Sequence, residues 1–246
     1  MSIVATTKFR CSACGIKVKT WTHKRIINDK LAKDWSLTPT LRKKFDLRES
    51  SFCPDCGNSH RTRFLAQAIL NQVPLEKNNL IDWVRAANKI NLKVAEINGC
   101  GQLHLILEEL RNLSYSEYVP QDHLKTRIKN FLKDIPNLDV TQLPYQDNQF
   151  DLVLHSDVLE HVGDYQKAII ECRRIVKPKG ICVFTVPVIM GRLTKNRQKL
   201  SPSFHGSGES DNYVFWEFGK DMVKRNKLKI ILNQQEFENY VFAITK

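Results

Sequence analysis

Beyond residue 90 the apolar residues keep two alternating rhythms. Residues 92–97, 114–119, 150–156 and 181–186 are short runs rich in branched and aliphatic side chains, which read as buried strands. The stretches between them, 101–113, 121–133 and 165–176, space their apolar residues as helices do. A parallel strand pair needs a crossover connection, so this alternation predicts a largely parallel sheet covered on both faces. The rhythm changes at the end, where residues 228–232 and 240–245 are two β-type runs joined by a short polar segment, the pattern of an antiparallel hairpin. With a short third strand ending near Asp139, the count is seven strands. Upstream, Phe64, Leu65, Ala68 and Ile69, then Leu80, Ile81, Trp83, Val84 and Ala87, fall at helical spacing about a break at Val73-Pro74. They predict two helices across residues 61–90 that lead into the main domain, 61–246.

Residues 1–60 have a different character. Cys11-Ser12-Ala13-Cys14-Gly15 and Cys53-Pro54-Asp55-Cys56-Gly57 repeat one device, a Cys-x-x-Cys turn closed by glycine. Such a turn aims both sulfurs at one ion, and two turns complete a tetrahedral four-thiolate site for Zn²⁺. The metal ligands predicted are therefore Cys11, Cys14, Cys53 and Cys56, in a small zinc-ribbon-like module. The 38 residues between Cys14 and Cys53 exceed the usual spacing, so a segment of roughly residues 24–50 is expected to loop out. His23 and His60 are alternative ligands for one position. A closed site of this kind has no open coordination position, which assigns it to structure or recognition. The remaining cysteines, Cys100, Cys172 and Cys182, read as small buried apolar residues.

Composition narrows the class further. The chain is 42% hydrophobic and 26% charged, an ordinary globular balance. No apolar run approaches the roughly 20 residues that span a bilayer, and the first ten residues lack the apolar core of a secretory signal, so a cytoplasmic protein without a membrane span is expected. Formal net charge is +12, with 12 Lys/Arg against 5 Asp/Glu in residues 1–60. A basic module of this sort admits RNA, an acidic partner or simple solubility as its purpose.

In open α/β sheets the ligand lies at the carboxyl ends of the strands. The first such turn, Glu96-Ile97-Asn98-Gly99-Cys100-Gly101, is glycine-rich and feeds a helix, which lets backbone approach a nucleotide-like ligand. Glu117 stands 21 residues after Glu96, where an acid can accept ribose hydroxyls, and Asp139 ends the third strand, where a carboxylate can accept from an adenine amino group. Together they describe an adenosine site. No Gly-x-x-x-x-Gly-Lys-Ser/Thr run is present, which disfavours a phosphate-cradling nucleotidase.

The most informative stretch runs from Leu143-Pro144-Tyr145 through Phe150-Asp151-Leu152-Val153-Leu154 to Ser156-Asp157-Val158-Leu159-Glu160-His161-Val162, with Lys177-Pro178-Lys179-Gly180 following. Here the chain strongly resembles the class I S-adenosylmethionine-dependent methyltransferases over about residues 92–190. Within them it is similar to the methyltransferase type 11-like branch with Ser-Glu-Tyr after the second strand, Ser-Asp-Val-Leu-Glu-His-Val after the fourth and a later His-Gly, present as Ser116-Glu117-Tyr118, Ser156 to Val162 and His205-Gly206. Some members of that branch carry an N-terminal pair of Cys-x-x-Cys turns, and many look like accessories of glycan or lipid biosynthesis. The resemblance implies a Rossmann-like α/β fold and S-adenosyl-L-methionine as cofactor. It implies that Glu96, Gly99 and Gly101 hold the methionine portion, Glu117 the ribose, and Asp139 with Val140 the adenine. Ser156 and Asp157 would border the sulfonium, with His161 or His205 as base. The chain departs from the family's pattern in two places. Glu96 precedes Gly99 by three residues, with Asn98 where glycine is frequent, and Lys179 replaces the first glycine of a pair.

Methyl transfer from a sulfonium asks mainly for alignment and exclusion of water, and a hydroxyl acceptor also benefits from a base. The loop 187–212 is long and basic and lies where an acceptor should enter, with Arg192, Lys195 and Arg197 as candidate anion contacts. The reading is a zinc-containing methyltransferase that O-methylates a sugar, glycolipid or other small metabolite. Two alternatives stay open: an RNA methyltransferase gripping phosphates through Arg42, Lys43 and Lys44, and a non-catalytic zinc adaptor whose cofactor site has decayed.

Overall fold

A computed structural model describes residues 9–204 and 213–246. The chain begins with two small antiparallel pairs. β1 (Phe9–Arg10) pairs with β2 (Lys17–Val18) about the first cysteine turn, and β3 (Thr22–His23) pairs with β4 (Ser51–Phe52) just before the second. Between β3 and β4 lie α1 (Asp29–Asp34) and α2 (Pro39–Ser50). Asn28 caps α1 by accepting the Leu31 N–H, and Thr38 caps α2 by accepting that of Leu41, with Pro39 in the first turn where its missing N–H is harmless. Residues 24–50 do not loop out, contrary to the expectation from their length. Ile27, Ala32, Trp35 and Phe45 form a hydrophobic cluster with Ile189 and Val214 of the larger lobe. A few large side chains in a mostly polar stretch suffice to dock it.

α3 (His60–Gln72) and α4 (Leu80–Lys89) are the two helices expected, capped by Ser59 and Asn79. Then follow β5 (Val94–Ile97), α5 (His104–Leu107), β6 (Leu113–Ser116), α6 (Leu124–Phe131), β7 (Phe150–Ser156), α7 (Tyr165–Ile175) and β8 (Val176–Thr185). A small sheet is made by β9 (Val188–Ile189), β10 (Lys195–Asn196) and β11 (Trp216–Gly219). The chain closes with α8 (Asp221–Arg225), β12 (Lys229–Gln234) and β13 (Asn239–Thr245).

The main sheet has the order β12-β13-β8-β7-β5-β6, parallel from β8 to β6 and antiparallel at the hairpin. It has six strands, one fewer than expected. The third strand reduces to a single bridge between Glu117 and Asn137, because the Asn137 side-chain amide takes over both backbone groups of Val119, at 2.7 and 3.0 Å. Alternation along β7 sends Leu152 and Leu154 to the face covered by α3 and α4, and Val153 to the face covered by α7. Cys11, Ala13, Val18 and Cys53 belong to the same core as Leu65, Ala68 and Leu154, so the cysteine turns are packed into the main lobe. The α4 N-terminus seals this junction: the Leu80 N–H reaches the Ser12 carbonyl at 2.9 Å. Among the described residues no helix is long and apolar enough to cross a membrane.

Candidate functional site

The carboxyl ends of β5, β6 and β7 open onto a cavity of about 670 Å³. Asn98 and Gly99 form one wall, Glu117 and Tyr118 a second, Asp139 and Val140 a third, and Ser156, Asp157 and His161 the floor. Asn98 has φ 56° and Gly101 φ 62°, so the turn needs left-handed backbone at both places. Asparagine tolerates that region, which accounts for its standing where glycine is frequent. Its Oδ1 also accepts the Tyr118 N–H at 3.0 Å, tying this turn to the next strand end.

Glu96 sits behind the turn and does not line the cavity. Fully buried, it accepts the Cys100 N–H at 2.8 Å and meets His104 Nδ1 at 2.6 Å, a contact that raises the imidazole. Both oxygens are spent on bracing the turn. Glu117 does face the cavity: its Oε1 accepts the Gly99 N–H at 3.1 Å and the Tyr115 hydroxyl, and its Oε2 has no partner among the described residues. A Cβ on Gly99 would come within 3.3 Å of that Oε1 and of the Tyr115 hydroxyl, so backbone must lie close here. Asp139 Oδ1 accepts the Thr141 N–H at 2.7 Å, and Val140 is buried in the wall. An acid with a spare oxygen, bare backbone and an apolar wall fit a nucleoside carrying an amino-acid tail.

At the end of β7 the backbone turns left-handed at Asp157, φ 53°. Its carboxylate accepts Arg48 Nη2 at 2.8 Å, Arg48 Nη1 at 3.1 Å and the Thr185 hydroxyl at 2.9 Å, and lies 3.2 Å from Arg61 Nε. Glu49 closes a ring by accepting from both arginines, and Arg61 also donates to Ser156 Oγ. Burial alone would raise the Asp157 carboxyl, but the two guanidinium charges hold it well below the usual carboxylate range. It is a fixed anion and no proton acceptor. Glu160, next along, is fully buried with neither oxygen hydrogen-bonded, and burial together with the Asp157 charge pushes its carboxyl well above the usual range. His161 Nδ1 is 2.8 Å from the Tyr213 carbonyl, so Nδ1 carries the proton and Nε2 is the basic nitrogen of the neutral ring. Burial lowers this imidazole and keeps it neutral. His205, the other candidate base, lies outside the described residues, as does Gly206.

A second cavity, of about 410 Å³, meets the first at Ser156, Asp157 and His161. Its far wall is the segment expected to loop out. Asp46 pins Ile26 and Ile27 there by accepting both N–H groups, at 2.9 and 2.8 Å. The arginines of the basic loop do not face this space as free cations. Arg192 donates to the Trp35 and Ser36 carbonyls at 2.6 and 2.5 Å, and buried Arg197 pairs with Glu217 and the Asp34 carbonyl, while Lys195 is exposed on β10. Arg42 is likewise held by Asp29 and the Ile27 carbonyl, and Lys44 by Glu238 and the Gln235 carbonyl. Two of the three residues proposed to grip RNA are thus spent internally.

The four sulfurs of Cys11, Cys14, Cys53 and Cys56 lie within 4.8 Å of one another, with two edges of 3.8 Å. A tetrahedron of Zn–S bonds of about 2.3 Å has edges of about 3.8 Å, so the donor set has the size the ion needs. Each turn is closed by a left-handed glycine, Gly15 and Gly57, whose N–H returns to Cys11 and Cys53 carbonyls at 2.8 and 3.0 Å. Crowding divides the protons unevenly. The Cys11 thiol draws Cys56 down to about 5, and burial pushes Cys14 up to about 12. A dication would let all four ionise. The alternative ligands are elsewhere: His23 bonds Ser50, and His60 stacks on Phe64 and contacts Gln234 at 2.7 Å. Cys172 and Cys182 are buried as expected, and meet His155 in the core.

The ring residues Arg48, Glu49 and Arg61 and the wall residue Trp35 carry no motif. Their only signal was position, on either side of the second cysteine turn or inside the long spacing.

A family model described as a methyltransferase domain matches residues 99–184. Among curated proteins, a glycine/sarcosine/dimethylglycine N-methyltransferase of Actinopolyspora halophila is 33% identical over 103 residues, 42% of this chain and 17% of that protein. An uncharacterized protein of Methanocaldococcus jannaschii is 52% identical over 48 residues, 20% of this chain and 21% of that one. A protein of Mycolicibacterium smegmatis named "Probable S-adenosylmethionine-dependent methyltransferase" is 27% identical over 92 residues, 36% of either chain. The chain therefore spans between 17% and 36% of the length of these relatives.

Proposed function

We propose, for a chain whose residues 99–184 match a methyltransferase domain, that it is a class I S-adenosylmethionine-dependent enzyme that O-methylates a small acceptor held between that domain and the segment joining the two cysteine turns. The observation that carries this reading is the pair of cavities meeting at Ser156, Asp157 and His161. When bound, the cofactor supplies a methyl group on a sulfonium, whose bond breaks with its electron pair left on sulfur. In this reading Asn98 and Gly99 receive the methionine portion, Glu117 Oε2 accepts from the ribose, and Asp139 with Val140 meets the adenine. Glu96 acts through the turn it braces. Asp157, held by Arg48, Arg61 and Thr185, fixes the shared floor beside which a sulfonium would lie. His161 accepts the acceptor's hydroxyl proton at Nε2, Nδ1 being committed to the Tyr213 carbonyl.

Cys11, Cys14, Cys53 and Cys56 hold Zn²⁺ as a structural centre, with no position left for substrate. A cytoplasmic setting, in which thiols stay reduced, suits that role. Calorimetric titration of the metal-replete chain with S-adenosylhomocysteine tests the cofactor site. Saturable binding that Glu117→Ala weakens at least tenfold is expected; absence of binding by the parent chain would overturn the reading.

A further inference from the structure

Resting on that reading, we infer that the acceptor is an uncharged molecule with an apolar, ring-sized body and a reactive hydroxyl, and that residues 26–49 form its binding wall. The argument begins with the walls of the 410 Å³ cavity. Ile27, Leu31, Trp35 and Phe45 line it from the insert, and Pro187 and Phe204 face them. A volume of this size suits a compact organic molecule and excludes a folded RNA. A sugar ring would set the hydroxyls that face Ile27, Leu31, Trp35 and Phe45 against hydrocarbon, where each loses its water without replacement.

The charges on the floor point the same way. Arg48 and Arg61 are each matched by Asp157 and Glu49, two cations to two anions, in one closed ring. Arg48 and Arg61 are the arginines that line the cavity among the described residues, so a phosphate or carboxylate would have to break that ring to reach either. Arg192 and Arg197 are bonded to the insert's backbone or to Glu217, and Arg25 and Arg42 pair with Asp29. Among the described residues the chamber joins apolar walls to a charge-balanced floor, with His161 at its junction with the cofactor cavity and His161 Nε2 3.7 Å from Glu160 Oε1. An acceptor hydroxyl placed there gives its proton to His161 and thence to solvent, and the new oxygen–methyl bond replaces the methyl–sulfur bond.

The test is calorimetry on the metal-replete full chain, first with S-adenosylhomocysteine, then on the loaded chain with 1-naphthol, 1-naphthyl phosphate, methyl α-D-glucoside and a short single-stranded RNA. The expected result is saturable binding of 1-naphthol at least tenfold tighter than of the other three. Ile26 lines the cavity while 45% exposed, so Ile26→Asp should fold, and it should weaken 1-naphthol at least tenfold with S-adenosylhomocysteine affinity unchanged. Phosphate, glucoside or RNA binding as tightly as 1-naphthol, or Ile26→Asp leaving 1-naphthol unaffected, would overturn the proposal alone. No binding of S-adenosylhomocysteine would overturn the methyltransferase reading, and the proposal with it.

Discussion

Three side chains in the main lobe sit where their chemistry is under stress, and each yields a measurable consequence. Lys179 has φ 69°, a backbone that glycine adopts freely and a lysine does not. Lys179→Gly should therefore stabilise the protein by about 1 kcal/mol, read as a higher urea midpoint at unchanged slope. Asp157 balances two arginines whose side chains are 2% and 17% exposed. Asp157→Asn should cost about 3–5 kcal/mol, since it strands buried cations, and a loss under 1 kcal/mol in chemical denaturation would mean the ring is not an energetic unit. Glu160 is the third. Its carboxyl is neutral in the folded protein but ionises at its ordinary value of about 4.3 once unfolded. The unfolded state therefore binds fewer protons above that value, and stability contributed by this group falls as pH rises toward its folded pKa. Glu160→Gln removes that penalty, so its melting temperature should gain on the parent's as pH rises above about 5; parallel curves would contradict the assignment.

At the scale of elements, α2 matters most because it leads directly into β4 and the second cysteine turn. It carries Arg48 and Glu49, so whatever holds that turn also holds the ion-pair ring. Chelation of the metal should raise amide exchange over residues 38–56 before residues 94–117 respond, and should weaken 1-naphthol more than S-adenosylhomocysteine. Uniform exchange across both regions would show that the metal stabilises the fold without discrimination. Elements whose apolar period is strong were legible before the structure: β7 was expected at its observed bounds, and the hairpin, α3 and α7 within a few residues. The third strand failed because Asn137, a side chain, does the pairing that backbone does elsewhere. The helix expected over 101–113 begins where expected but ends at Leu107, where the Leu110 N–H turns back to the Leu107 carbonyl and the chain leads into β6 at Leu113.

Across the whole molecule, the strand-end residues that line the larger cavity could be foreseen and the insert wall of the smaller one could not. Glu117, Ser156 and Asp157 stand at strand ends, and strand ends follow from the period of the pattern. Arg48 and Trp35 reach the site from residues more than a hundred positions upstream, by packing that no local pattern encodes. The basic excess misled for a related reason: charge can be counted along a chain, but its partners, such as the Trp35 carbonyl for Arg192, exist only once the two lobes meet.

The distance between the two cysteine turns has one more consequence. Both ends of residues 16–52 are fixed at a single sulfur cluster, so that stretch behaves as a cassette on a common clasp. Lengthening a closed loop is entropically cheap, about 0.6 kcal/mol per doubling, which leaves its interior open to exchange. Grafting a different stretch between Gly15 and Cys53 should change which acceptor is taken while S-adenosylhomocysteine affinity holds, provided an arginine and an acid are kept at positions 48 and 49 to close the floor. Selectivity and methyl chemistry would then be separable along the chain, one carried by a replaceable insert and the other by the sheet.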